Sequence, residues 1–315
     1  MRSLSIKPRL KQFVRRTAQT LVHLGLQEQR FERNIEIALA ALLGDGRSLT
    51  AKNNVTAYVE FLRGCIEPAS LRIDVIKPDK GGQDALSNRF ATLIDTMRSS
   101  LFPLPAGVAL AVSDCADRFR GLAEPFERER WSGDVGLHFA MSSSSPRKCR
   151  VLATIVRLSR AKQCLELGTA YGLSAMVILE MQRMLGSDCH LTTIEGSNPQ
   201  FALASAHLNA AYSAAVTCHF GHTQKLLPEI AARGAAIDFM FHDAGHSYDD
   251  YVKDFGAIVA ALAPGAVVLI DDIRWEDPRF QAASNTYRGW LDVVAHPRVR
   301  QAVELDGAMG LVQLT

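Results

Sequence analysis

Gln163-Cys164-Leu165-Glu166-Leu167-Gly168-Thr169-Ala170-Tyr171-Gly172-Leu173-Ser174 is the stretch whose reading decides the fold. A short apolar run carries one carboxylate, a glycine-bounded turn follows, and Ala175, Met176, Ile178 and Leu179 then recur at helical spacing. That order predicts a buried strand, a tight turn and a helix, the opening unit of a doubly wound α/β domain. Gly168 and Gly172 let backbone and ligand approach closely, because no Cβ stands between them. The helix that follows presents unbonded N–H groups at its start.

Downstream the alternation continues. Strands are predicted at 190–194, 216–220, 237–242 and 266–270, with helices at 198–211, 249–262 and 278–294. Two short runs at 301–305 and 310–314 flank Asp306-Gly307, a hairpin signal. The expected fold is α/β: a Rossmann-like, doubly wound, mainly parallel seven-stranded sheet with helices on both faces.

Upstream, residues 1–140 read as a mainly helical accessory domain, a lid or a dimer contact. Helical spacing recurs at 31–43, 55–65, 84–101 and 108–122, and a brief alternation at 71–76 reads as an edge strand. Gly133, Gly136 and Ser142-Ser143-Ser144-Ser145 make 131–146 look like a linker or a loop over a site. The second domain is therefore placed at 141–315. Pro146 suits the first position of a helix over 147–160, with Ser145 as its N-cap.

The 315 residues are 48% hydrophobic and 22% charged, an ordinary globular balance with enough apolar matter for a large core. A net charge of +2 gives no case for nucleic acid as partner. No window reaches membrane-spanning length, so stable membrane insertion is not expected. The six scattered cysteines lack CxxC spacing and read as reduced core thiols of a cytoplasmic protein. Residues 2–16 hold six basic residues and no acid, interleaved with Leu10, Phe13 and Val14; the expectation is a solvated basic helix.

Acidic residues fall at the carboxyl ends of the strands: Glu166 in the first, Glu195 after the second, Asp243 after the fourth, and Asp271-Asp272 after the fifth. Ligands of open α/β sheets bind there, and a carboxylate at the tip of the second strand accepts from ribose hydroxyls. A dinucleotide would want glycine where Ala170 stands, and Glu166 would repel its pyrophosphate. A cationic ligand tolerates that charge. S-adenosylmethionine, with its sulfonium and ammonium, fits.

Residues 142–315 resemble the class I S-adenosylmethionine-dependent O-methyltransferases of the catechol and caffeoyl-coenzyme A type. The resemblance is carried by the helix at 147–160, by Cys164 to Ser174 as quoted, and by Thr193-Ile194-Glu195. It continues in Phe241-His242-Asp243-Ala244-Gly245-His246-Ser247-Tyr248, Leu262-Ala263-Pro264-Gly265, Leu269-Ile270-Asp271-Asp272-Ile273-Arg274-Trp275 and Gly307-Ala308-Met309-Gly310-Leu311. It implies that Glu166 and the turn residues Gly168, Thr169, Tyr171 and Gly172, with Ser174, hold the methionine part. It further implies that Glu195 binds the ribose, that Gly221 and His222 lie along the adenine, and that Asp243 adjoins the cofactor. In the metal-dependent branch, Asp243, Asp271 and Asp272 match the ligands of Mg²⁺ or another divalent cation, with Asp272 in place of the family's Asn. His246 stands where the family often has a lysine base, so His246 with Asp243 would deprotonate a small-molecule hydroxyl acceptor. Trp275 matches an aromatic of the acceptor pocket. A homodimer is compatible with this family. N- or C-methylation, cyclisation releasing methylthioadenosine, or cofactor binding without turnover stay open as alternatives.

Overall fold

A computed structural model describes residues 64–65, 69–79, 84–120, 122, 125–128, 131–186, 188–234, 236–275 and 284–315. The basic segment 2–16 and the helices expected at 31–43 and, for the most part, 55–65 lie outside the described residues, as does 276–283.

The quoted stretch forms strand β4 (Gln163–Leu167), buried from its second residue on, and helix α5 (Leu173–Leu185). A strand sandwiched between two helical layers has no solvent face, hence its continuous apolar run. Around it stand β5 (His190–Glu195), β6 (Val216–Phe220), β7 (Ile237–His242), β8 (Leu262–Ile270), β9 (Val299–Leu305) and β10 (Met309–Leu314). From edge to edge, with β1 spanning Ile73–Lys77, the order is β1-β9-β10-β8-β7-β4-β5-β6. The pairs β8–β7, β7–β4, β4–β5 and β5–β6 are parallel, and β10 is antiparallel to both neighbours. This is the doubly wound, mainly parallel sheet read from the sequence. Its seven strands are joined by an eighth, β1 (Ile73–Lys77), which adds antiparallel to β9. The alternation at 71–76 thus is an edge strand of the main sheet. Asp306 and Gly307 turn the closing hairpin with positive φ of 54° and 69°, and Ala308 N donates back to Leu305 O at 3.1 Å.

Alternate residues serve opposite faces. Cys164, Phe239, Phe241, Val267 and Leu269 join one core, and Leu165, Leu167, Met240, Val268 and Ile270 the other. The first core is closed by α1 (Ala85–Ser99), α2 (Ala106–Arg120), α4 (Pro146–Ser159) and α5. The second is closed by α7 (Thr223–Ala232), α8 (Tyr248–Ile258) and α9 (Thr286–Ala295). Helix α6 (Asn198–Tyr212) adds Ala204 and Leu208 to the first face. Helices α1 and α2 pack on α4 and α5, so this part of the region before residue 140 shares the main core.

Residues 131–142 differ from the expected loop. They form β3 (Trp131–Asp134), paired with β2 (Pro125–Arg128), and α3 (Val135–Ser142). The glycines and serines masked an apolar helix face: Val135 and Phe139 are buried in the first core. Only 143–145 link α3 to α4. There the expected cap is present, with Ser145 accepting from Lys148 N at 3.2 Å and Pro146 in the first turn. All six cysteines are free and five are buried. No described helix is long and apolar enough to cross a membrane.

Candidate active site

The carboxyl ends of β4, β5, β6, β7 and β8 form one edge, laced by backbone bonds. Gly168 N and Thr169 N donate to Ile194 O, Gly221 N to Glu195 O, Asp243 N to Leu167 O, and Asp271 N to His242 O, all at 2.8–3.1 Å. Every acid expected at a strand end therefore reaches the same edge.

Glu195 is the anchor of the turn. Its Oε2 accepts from Ala170 N and its Oε1 from Ser197 N, each at 2.7 Å. Ala170 meets it with a positive φ of 46°, a conformation an L residue holds at some cost. Gly168, with φ of 92°, and Gly172, with φ of 82°, flank it; Gly172 caps α5.

Glu166 points under the turn instead of out of it. It is fully buried, and Thr193 Oγ1 donates to its Oε2 at 2.6 Å; Thr193 also touches Thr169 Oγ1 at 2.5 Å. Burial raises the Glu166 carboxyl to about 7, against the hydrogen bonds of Ser174 and Thr193 and with the charges of Asp243 and Glu195 adding to it. Tyr171 also faces inward. Its ring packs with Phe119 and Phe139, and its hydroxyl lies 2.8 Å from His138 Nδ1. Gly168 and Ala170 are the half-buried part of the turn, Glu195 is buried beneath it at 6% exposure, and Glu166, Thr169, Tyr171 and Ser174 shape it from below. Gly221 and His222 follow β6, with His222 at the N-cap of α7.

The second half of the edge is a charge cluster. His246 Nε2 lies 3.1 Å from Asp272 Oδ2 and 3.8 Å from Asp243 Oδ1. Burial disfavours the imidazolium, but the Asp272 carboxylate at 3.1 Å and the charges of Asp243 and Asp271 outweigh it, so the His246 pKa is raised. Asp272, held at φ of 53°, has a lowered pKa because bonding to His246 outweighs its own burial. Asp243 is pushed to about 7 by burial and by Asp271, against Lys148 and His246. Burial likewise raises Asp271 against Lys148. The Trp275 ring, 44% exposed, lies over His246 with centroids 5.3 Å apart. His242, at the end of β7, is buried with its Nε2 3.2 Å from Asp254 Oδ2.

Lys148 was not legible from sequence. From the first turn of α4 its Nζ reaches Asp243 Oδ2 at 3.1 Å and forms an ion pair with Asp271 Oδ2. The three acids expected to hold a cation are therefore not equivalent: two are bound to Lys148. The described residues that bring three ligating atoms together, within 4.8 Å of one another, are Asp243, His246 and Asp272.

A family model described as a methyltransferase domain matches residues 165–273. Over 133 residues, 42% of this chain, the sequence is 29% identical to a catechol O-methyltransferase from Niastella koreensis, of whose length the match spans 58%. The O-methyltransferase TomG from Streptomyces achromogenes, solved with S-adenosylmethionine, superposes with a TM-score of 0.50 at 22% identity, over 65% of this chain and 89% of that one. An S-adenosylhomocysteine-bound methyltransferase from Podospora anserina gives 0.52 at 16% identity, over 65% and 88%. The sheet order and the match along the strand-tip segments agree: residues 165–273 carry a methyltransferase domain, on the fold that these solved methyltransferases share.

Proposed function

We propose that the chain transfers a methyl group from S-adenosylmethionine to a hydroxyl of a small molecule, with His246 as the general base. The observation that carries this reading is the Asp272–His246 pair at the same sheet edge as Glu195 and the glycine turn. The residues fit the cofactor: an acceptor carboxylate at the tip of β5, a turn whose glycines admit close approach, and the part-exposed carboxylate of Asp243 for a cationic end. Glu195 would hold the ribose, Gly221 and His222 the adenine side, and Asp243 with the turn the methionine end. When bound, the cofactor supplies an electrophilic methyl on a sulfonium.

The chain's own work is positioning and proton transfer. With Nε2 3.1 Å from Asp272 Oδ2, the carboxylate favours the proton on that nitrogen, which would leave the lone pair on Nδ1. Nδ1 would take the proton of the acceptor's hydroxyl and so ready its oxygen for the methyl that the bound cofactor would supply. Trp275 offers an exposed ring against which an aromatic acceptor can lie. Catechol is the first acceptor to try, given the relative from Niastella koreensis.

Calorimetry with S-adenosylmethionine and S-adenosylhomocysteine tests the reading, and absence of binding by both ends it. In the same experiment Glu195→Ala should weaken either ligand about tenfold or more, since it removes the ribose acceptor and the clamp on Ala170 N. Unchanged affinity would place the ribose elsewhere. Mass spectrometry of the product separates O-methylation from N-methylation or methylthioadenosine release.

A pH profile supplies a second check. The base must be neutral, and its pKa lies above the ordinary 6.5, so kcat should rise with pH through a limb above that value. Asp272→Asn removes the bond and charge that hold the proton on His246, so the limb should move down by about one unit. A limb that stays in place would take the titration away from His246.

A further inference from the structure

We propose that Lys148 replaces a divalent cation as the positive charge at the strand tips, so that this site binds no such ion. The expected ligand trio does not fit one: Lys148 Nζ bonds Asp243 Oδ2 at 3.1 Å and is ion-paired with Asp271 Oδ2, and the Asp271 side chain is only 3% exposed. A hard divalent cation asks for six or more oxygen ligands, several of them waters, so it would have to expel the ammonium from both carboxylates. That would leave Lys148, itself largely buried, without its partners.

The other available trio, Asp243, His246 and Asp272, meets a different obstacle. Coordination would use the imidazole lone pair or break its 3.1 Å contact with Asp272. The ion would then consume the base on which the proposed reaction depends. Either placement removes something this chain has built.

The placement of Lys148 itself points the same way. It is the third residue of α4, whose first turn has no acid, and a cation near a helix N-terminus is opposed by the helix dipole. Arg147, its neighbour, turns outward to Asp306. Lys148 is held against that dipole by Asp243 and Asp271, and the Ser145 cap with Pro146 fixes the turn that delivers it. It is a positioning residue: it sets the two carboxylates and leaves a cation beside the place where the acceptor oxygen gathers charge, the work for which an ion would otherwise be recruited.

The inference rests on the methyl-transfer reading for the meaning of the site, but its test does not. Mn²⁺ is titrated into the full chain and followed by electron paramagnetic resonance, with Lys148→Met and Lys148→Arg alongside and thermal melts as a control of folding. Wild type and Lys148→Arg should leave Mn²⁺ free at millimolar concentration, whereas Lys148→Met should bind one ion about tenfold or more tightly than wild type. Stoichiometric Mn²⁺ binding by wild type overturns the proposal, and that arm needs no variant to fold. Equal affinity of Lys148→Met and wild type overturns it too. S-adenosylmethionine calorimetry judges the cofactor reading separately.

Discussion

His246→Ala is expected to lower kcat by about 10²- to 10⁴-fold, the usual worth of a positioned general base, while leaving S-adenosylmethionine affinity within about twofold. The split follows from where His246 stands. Among the described residues its charge and ring contacts run to Asp272, Asp243 and the Trp275 ring. Removing it should therefore spare the cofactor and remove the group that takes the acceptor's proton. The alanine also leaves Asp272 without its cation in a half-buried place, so some loss of stability is expected; His246→Gln keeps volume and hydrogen bonding and serves as the second variant. Initial rates of methyl transfer to catechol, or to another hydroxyl acceptor that turns over, provide the measurement. A kcat within about threefold of wild type in both variants would remove His246 from the chemistry.

The part of this site that could be read from sequence is the part made by the sheet. Parallel strands buried on both faces give unbroken apolar runs, and a polar residue can end such a run only where the strand leaves the core. Glu195, Asp243, Asp271 and Asp272 were visible for that reason, and all reach one edge. Lys148 was not, because its partner Asp243 lies 95 residues away and nothing local distinguishes it from Arg147 beside it. The family resemblance implied a cofactor contact for Tyr171, and in the structure it packs on Phe119, Phe139 and His138. Those three lie outside the stretch that resembles the family, on helices whose docking no periodicity announces. The same gap hid α3: in 131–142 the glycine and serine content outweighed a four-residue spacing of Val135 and Phe139 that only the packed structure makes decisive.

Gly168→Ala is expected to destabilise the fold by about 3 kcal/mol or more and to abolish cofactor binding in whatever folded protein remains. A methyl group there would stand 2.0 Å from Asp243 O and 2.6 Å from Asp243 C. Neither side can retreat alone, since Gly168 N is bonded to Ile194 O at 2.9 Å and Asp243 N to Leu167 O at 2.8 Å. Relief requires β4 and β7 to part at their tips, which separates the turn from Asp243 and shifts the acids on either side. Positive φ is not the main cause. Ala170, two residues on, carries a side chain at φ of 46° and still donates its N–H to Glu195. The two positions show what the turn selects: at 168 the neighbouring strand leaves no room for any Cβ, and at 170 a methyl is accommodated where a dinucleotide site would want hydrogen. Ala170→Gly should accordingly change stability by less than about 1 kcal/mol, since the strain it relieves is offset by the freedom it adds to the unfolded chain. Urea denaturation of both variants, with calorimetry on the folded fraction, measures the contrast. Similar midpoints for Gly168→Ala and Ala170→Gly would mean that the strand tips are looser than their backbone lacing implies, and the site could then not be held by the turn.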